Sequence, residues 1–337
     1  MFPIIDMHCD TISGILMAKS RGEDVKLREN EMSVDLMKLQ QGGYMCQNFA
    51  LFTHLASVQK RGEGAFEHAL ALSDTLDEQL AQNPDLIRPA FSGSDLEQNF
   101  ASGFLSGLKT IEEGAVYEGK VENLRKLYDH GVRMSTLTWN FENELAFPNK
   151  MFVDENGVLH AEPDTENGLK PAGFEMVQAM EELGVIIDVS HLNDAGIFDI
   201  FRTVRKDTPV IASHSNARTV CNVPRNLSDE MLRLIAEHGG ICGINFAYDF
   251  ISEEKSEQQL TTIDGMIAHM KHIRNVAGID SIGLGSDFDG IDNPVEVRNA
   301  SGMQQIADRM SQAGFSVDEI EKVFYKNALR VYKQVLG

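Results

Sequence analysis

The sequence predicts a single (β/α)8 barrel across residues 1–337, and three observations predict it. Eight short apolar runs recur along the chain, helical 3.6-residue periods separate most of them, and glycines stand where helices must stop. Length is neutral, since 337 residues fill one large domain or two modest ones.

In chain order, the first two expected strands are Pro3–His8 and Tyr44–Leu51, and the third is Leu108–Glu113. A helix over Val121–His130 leads through Gly131 into the fourth strand, Met134–Trp139. A non-periodic stretch at about 140–170 follows, longer than compact domains usually tolerate without a lid or binding role. Helix Gly173–Leu183 then stops at Gly184 before strand Val185–His191, and helix Ala195–Val204 precedes strand Pro209–His214. Helix Asp229–His238 stops at Gly239 before strand Gly240–Phe246, and helix Asp264–Val276 reaches Gly278 before strand Ser281–Asp287. VIIDVSH and PVIASH are continuous apolar runs, the pattern of parallel strands covered on both faces. Ser316 and Glu319 form a capping box for a final helix, with Phe315 and Ile320 spaced as its hydrophobic staple. An open doubly wound sheet remains the other architecture, because periodicity does not report closure.

The balance of 51 acidic against 30 basic residues gives a formal charge of −21, with no basic stripe, which argues against nucleic acid as a partner. No apolar run is long enough to span a bilayer, and MFPIIDMHCD carries no signal-peptide pattern. Four scattered cysteines, Cys9, Cys46, Cys221 and Cys242, fit free thiols in a reduced cytoplasmic protein with no membrane partner.

The residues that carry chemistry gather at strand ends. His8 and Asp10 lie two apart on the first strand and so project to one face. Glu112 and Glu113 end the third strand, His191 the fifth, His214 the sixth and Asp287 the eighth. The carboxyl ends of barrel strands are where such folds build active sites. Imidazoles and carboxylates are the donor set of Zn²⁺ or a similar divalent ion, and five donors suit two ions sharing one carboxylate. Of the remaining histidines, His54 alone stands just past a strand, within reach of the mouth.

With these residues in view, the chain resembles the membrane (renal) dipeptidase family of zinc metallopeptidases, within the amidohydrolase superfamily. The resemblance is densest at DMHCDT, EEG, LTWN, IDVSH, ASHSNAR with VPRN, INF and GLGSDFDG, and at KNALRVY near the end. It implies two Zn²⁺ ions: His8, Asp10 and Glu113 on one, Glu113, His191 and His214 on the other. Glu113 is taken as the bridge because it directly precedes Gly114. It also implies dipeptide hydrolysis by a hydroxide held between the metals. Asp287 would shuttle a proton or anchor the substrate amine, and Arg225 would grip the substrate carboxylate. Two positions depart from the family pattern: Trp139 stands where many animal relatives have a histidine, and Phe250 where they have a tyrosine. Both are expected to contact substrate. Other hydrolases of N-acyl amino acids or cyclic amides, and a non-catalytic ligand-binding barrel, remain alternative readings. The resemblance leaves monomer and homodimer both open.

Overall fold

The computed structural model describes residues 1–154, 159–254 and 256–337. Among the described residues there are eleven strands: β1 (Ile4–Asp6), β2 (Tyr44–Phe52), β3 (Ile87–Pro89), β4 (Leu105–Glu112), β5 (Val132–Thr136), β6 (Lys150–Val153), β7 (Leu159–Glu162), β8 (Ile186–Asp188), β9 (Val210–Ile211), β10 (Cys242–Ile244) and β11 (Ile282–Leu284). Eight of them form the parallel path β10-β11-β1-β2-β4-β5-β8-β9. A parallel bridge between Ala212 and Cys242 joins its two ends, with Gly243 N donating to Ala212 O at 2.8 Å. The sheet therefore curls round on itself as a (β/α)8 barrel, and the doubly wound alternative falls away.

Side-chain alternation explains why the barrel is a packed core. Within β1, β8 and β9 the inner residues are Ile5, Ile186 and Ile211, and their neighbours Ile4, Ile187 and Val210 face the surrounding helices. The inner set also takes in Met7, Cys46, Leu108, Met134 and Ile241, and Val331 and Tyr332 from the last helix, Asn327–Leu336. Buried Asn48 on β2 donates to Tyr332 Oη at 2.7 Å, so this helix closes the amino-terminal end of the barrel and leaves the other end for chemistry.

Each expected strand is present; β2 and β4 run longer than their apolar runs, and the other six are shorter, their last residues passing into the rim loops. The capping box of Ser316 and Glu319 forms, and Phe315 and Ile320 are both buried behind it. Two features were not anticipated. β3 pairs with the first residues of β4 on the edge that β5 occupies further along; three residues give no periodicity to read. The long stretch after β5 carries an antiparallel hairpin, β6–β7. All four cysteines are buried and free, and no described helix is long and apolar enough to cross a membrane.

Candidate metal centre

His8 and Asp10 follow β1, Glu112 ends β4, and His191, His214 and Asp287 each lie three residues beyond the ends of β8, β9 and β11. All converge at the carboxyl end of the barrel, where they are buried or nearly so. Glu112 is the hub. Its Oε2 lies 3.2 Å from His8 Nε2, which is itself 3.2 Å from Asp10 Oδ2. Its Oε1 lies 2.9 Å from His191 Nε2 and 3.6 Å from His214 Nε2, and those two nitrogens are 3.0 Å apart. Asp287 Oδ1 stands 3.8 Å from His8 Nε2.

Glu113, expected as the bridging ligand, is not among them. One residue later on the strand, its side chain leaves on the opposite face and turns back into the protein. It accepts hydrogen bonds from Ala115 N at 2.9 Å, Asn143 Nδ2 at 2.5 Å and Trp139 N at 3.2 Å. The strand's own alternation signals which of the two glutamates faces the barrel interior. Lys109 cannot face the barrel interior unpaired, and it points outward to Ser73 and Asp77. Counting by twos from Lys109 puts Ile111 and Glu113 outside, and Leu108, Thr110 and Glu112 inside.

The imidazoles are held from behind. His214 Nδ1 is 2.7 Å from Ser213 Oγ, and His191 Nδ1 is 3.2 Å from the Asn140 side-chain oxygen, so each presents Nε2 to Glu112. Asp188 accepts from Ser190 N and Ser213 N, both at 2.9 Å, which locks the ends of β8 and β9 together. Asp6 accepts from Ser286 Oγ at 2.6 Å and locks β1 to β11, while Asn245 donates to Asp287 Oδ2 at 2.9 Å. Asn140, Ser213, Asn245, Asp6 and Asp188 were not anticipated as supports, because such polar residues beside strands have many other uses.

Strain marks the same rim. Glu113, His191, Asp287 and Asp289 have φ between 61° and 88°, a left-handed region that costs side-chain-bearing residues about 1–3 kcal/mol each. Gly290 is required beside them, since a Cβ there would collide with the carboxylates of Asp10 and Asp287.

The electrostatics show like groups forced together. Burial pushes the Glu112 carboxyl up to about 7, opposed by the His8 charge and reinforced by Asp10 and Asp287. Asp287 rises to about 6, again chiefly through burial. Burial lowers His8, but Glu112 and Asp10 override it and lift it well above the ordinary value. Burial, together with the charges of His8 and Arg225, holds His191 and His214 well below theirs.

These residues fit divalent cations. Asp10 Oδ1 is buried with no partner, and the two histidine nitrogens 3.0 Å apart both present ligating lone pairs when neutral. Candidate donor triads include His8, Glu112 and His214, and His8, Asp10 and Asp287. Arg225 lies beyond them: Nη1 donates to Ser215 Oγ at 2.8 Å, the guanidinium sits 5.5 Å from the Phe250 ring centre, and buried Nε and Nη2 have no partner. Trp139 lies on the other side, its ring 6.0 Å from that of His191.

Comparison with known proteins gives the family and the fold. The family described as membrane dipeptidase (peptidase family M19) matches residues 1–336. An uncharacterised dipeptidase of Schizosaccharomyces pombe is 30% identical over 98% of this chain and 80% of its own length. Dipeptidase aclJ of Aspergillus oryzae is 31% identical over 75% of this chain and 57% of its own. Among solved structures, the metallopeptidase dipeptidase AC superposes with a TM-score of 0.89 at 24% identity, covering 100% of this chain and 99% of the other. A metallopeptidase of Rhodobacter sphaeroides, liganded with a phosphinate mimic of L-Ala-D-Ala, gives 0.86 at 23% identity, covering 99% of each chain. A strand-end cluster of three histidines and three carboxylates, on a barrel matched along nearly its whole length, makes this chain an enzyme of the membrane dipeptidase family.

Proposed function

We propose that the chain hydrolyses the peptide bond of small dipeptides with two zinc ions bound at the barrel mouth. The observation that carries this reading is the division of Glu112: one oxygen faces His8, which in turn meets Asp10, and the other faces His191 and His214. His8, Asp10 and Glu112 would hold one ion, and Glu112, His191 and His214 the other. Two such ions supply Lewis acidity that polarises a carbonyl and brings a water's pKa toward neutrality.

The protein's own groups do the rest. Arg225 offers two unpartnered N–H groups to the substrate carboxylate, in the forked geometry that suits it. Asp287 faces the opposite end of a zwitterionic dipeptide, where it accepts from the ammonium and stands ready to return a proton to the leaving amine. Asn245 fixes its second oxygen for that purpose. Gripping both charged ends limits the substrate to two residues. An N-acyl amino acid would satisfy Arg225 but leave Asp287 without a cation, so the pair favours free dipeptides. Four free, buried thiols suit a reducing compartment, and we assign the chain to the cytoplasm on that basis.

Elemental analysis alongside hydrolysis of a panel of L,L and L,D dipeptides tests the reading. Two zinc ions per chain with dipeptide turnover are expected. A fully zinc-loaded protein that cleaves N-acyl amino acids but no dipeptide would overturn it.

A further inference from the structure

Beside the cations' expected place stands a group of aromatic rings that the hydrolytic chemistry does not use. Phe52 and His54 come from the end of β2 and its loop, Trp139 and Phe141 from the loop after β5. Their ring centres are linked at 5.1–5.4 Å, and Trp139 reaches to 6.0 Å from His191. All four are half-buried, so part of each ring stays open at the mouth.

The group is built rather than loose. Buried Glu113 holds the backbone N–H of Trp139 at 3.2 Å and ties Asn143 into the same loop. His54 Nδ1 caps the helix Leu55–Arg61, accepting from Ser57 N at 3.2 Å with Ser57 Oγ at 2.9 Å, which fixes the imidazole edge-on to Phe141. An aromatic surface fixed in advance loses little entropy when it binds an apolar group.

Its position selects what it binds. β2 and β5 flank β4, whereas Asp287 follows β11 and Arg225 follows β9. Both groups that grip charge therefore lie across the mouth from the rings, so the part of a bound dipeptide directed at them is a neutral side chain. We propose that Phe52, His54, Trp139 and Phe141 form a side-chain subsite that selects dipeptides carrying a bulky apolar residue.

This rests on the dipeptidase reading, and the experiment separates the two. The zinc-loaded full chain is assayed on Ala-Ala, Leu-Ala and Ala-Leu, and Trp139, the sole tryptophan, reports occupancy through its fluorescence. Exchanging a methyl for an isobutyl group against a partly open wall is expected to raise kcat/KM about tenfold at one of the two positions. That preference is expected to fall toward unity in Trp139→Ala, and the leucine dipeptide to shift Trp139 emission saturably in the wild type where Gly-Gly leaves it unchanged. Turnover of all three dipeptides with no preference above about twofold at either position overturns the subsite and leaves the dipeptidase reading intact. An emission shift selective for the leucine dipeptide, without hydrolysis of any dipeptide, overturns the dipeptidase reading and leaves the subsite standing.

Discussion

Arg225→Met is expected to weaken substrate binding while leaving the fold as stable as before or more so. Two of the three guanidinium nitrogens, Nε and Nη2, are buried without a hydrogen-bond partner. An unmet buried donor costs about 1–3 kcal/mol, more when charged, so the free enzyme carries a penalty that a ligand's carboxylate relieves. Methionine fills a similar volume and removes the penalty, losing the 2.8 Å bond to Ser215 and the guanidinium's approach to the Phe250 ring. With roughly 2.1 cal/mol/K of unfolding entropy per residue over 337 residues, each kcal/mol moves Tm by about 1.4 °C. The variant should therefore melt at the wild-type temperature or a few degrees above it. Losing two charge-assisted bonds, at about 1.5–3 kcal/mol each, should raise KM for a free dipeptide on the order of 100-fold or more. The corresponding dipeptide amide, which has no carboxylate, should change far less. Steady-state kinetics on the matched pair and a thermal melt of the zinc-loaded protein make the test. Equal losses on both substrates, or a clear drop in Tm with unchanged KM, would refute the reasoning.

Other perturbations separate neighbouring roles. Glu113→Gln puts an amide in place of an acceptor for three donors, so it should lower stability by about 1–3 kcal/mol, read from a melt, yet keep its metal content. Asn140→Ala removes the support of His191 and should weaken metal affinity about 10–100-fold in a chelator competition, with the melt of the metal-free protein little changed. His269 is buried away from the centre, accepts from Ala217 N at 3.1 Å, and is held down to about 4 chiefly by burial. The unfolded chain binds a proton near pH 6.5 and the folded one near 4, so stability falls as pH drops from 6.5 to 4, by on the order of 3 kcal/mol in all. Denaturant titrations of His269→Gln across that window should show a correspondingly flatter slope; an unchanged slope would exclude this residue as the source.

What the sequence revealed follows from which signals repeat. Strands covered on both faces must be apolar throughout, so VIIDVSH and PVIASH announce themselves, and eight such runs bring the rim residues into view together. His8, Asp10, His191, His214 and Asp287 stand out because they lie at the ends of those runs. The choice between Glu112 and Glu113 failed because a family motif outweighed the alternation of the strand, on which a shift of one residue exchanges inside for outside. Lys109 held the information needed to set it right. Asn140 and Asn245 were invisible for a different reason: their roles depend on loops whose course periodicity does not encode. The aromatic group joins two segments more than 80 residues apart, and only closure of the barrel makes Phe52 and Trp139 neighbours.

Anomalous diffraction from zinc-soaked crystals at the zinc edge bears most directly on the account. Two peaks are predicted, one beside His8 and Asp10 and the other beside His191 and His214, with the Glu112 carboxylate between them and Glu113 in contact with neither. A single peak, or a zinc ion ligated by Glu113, would contradict it.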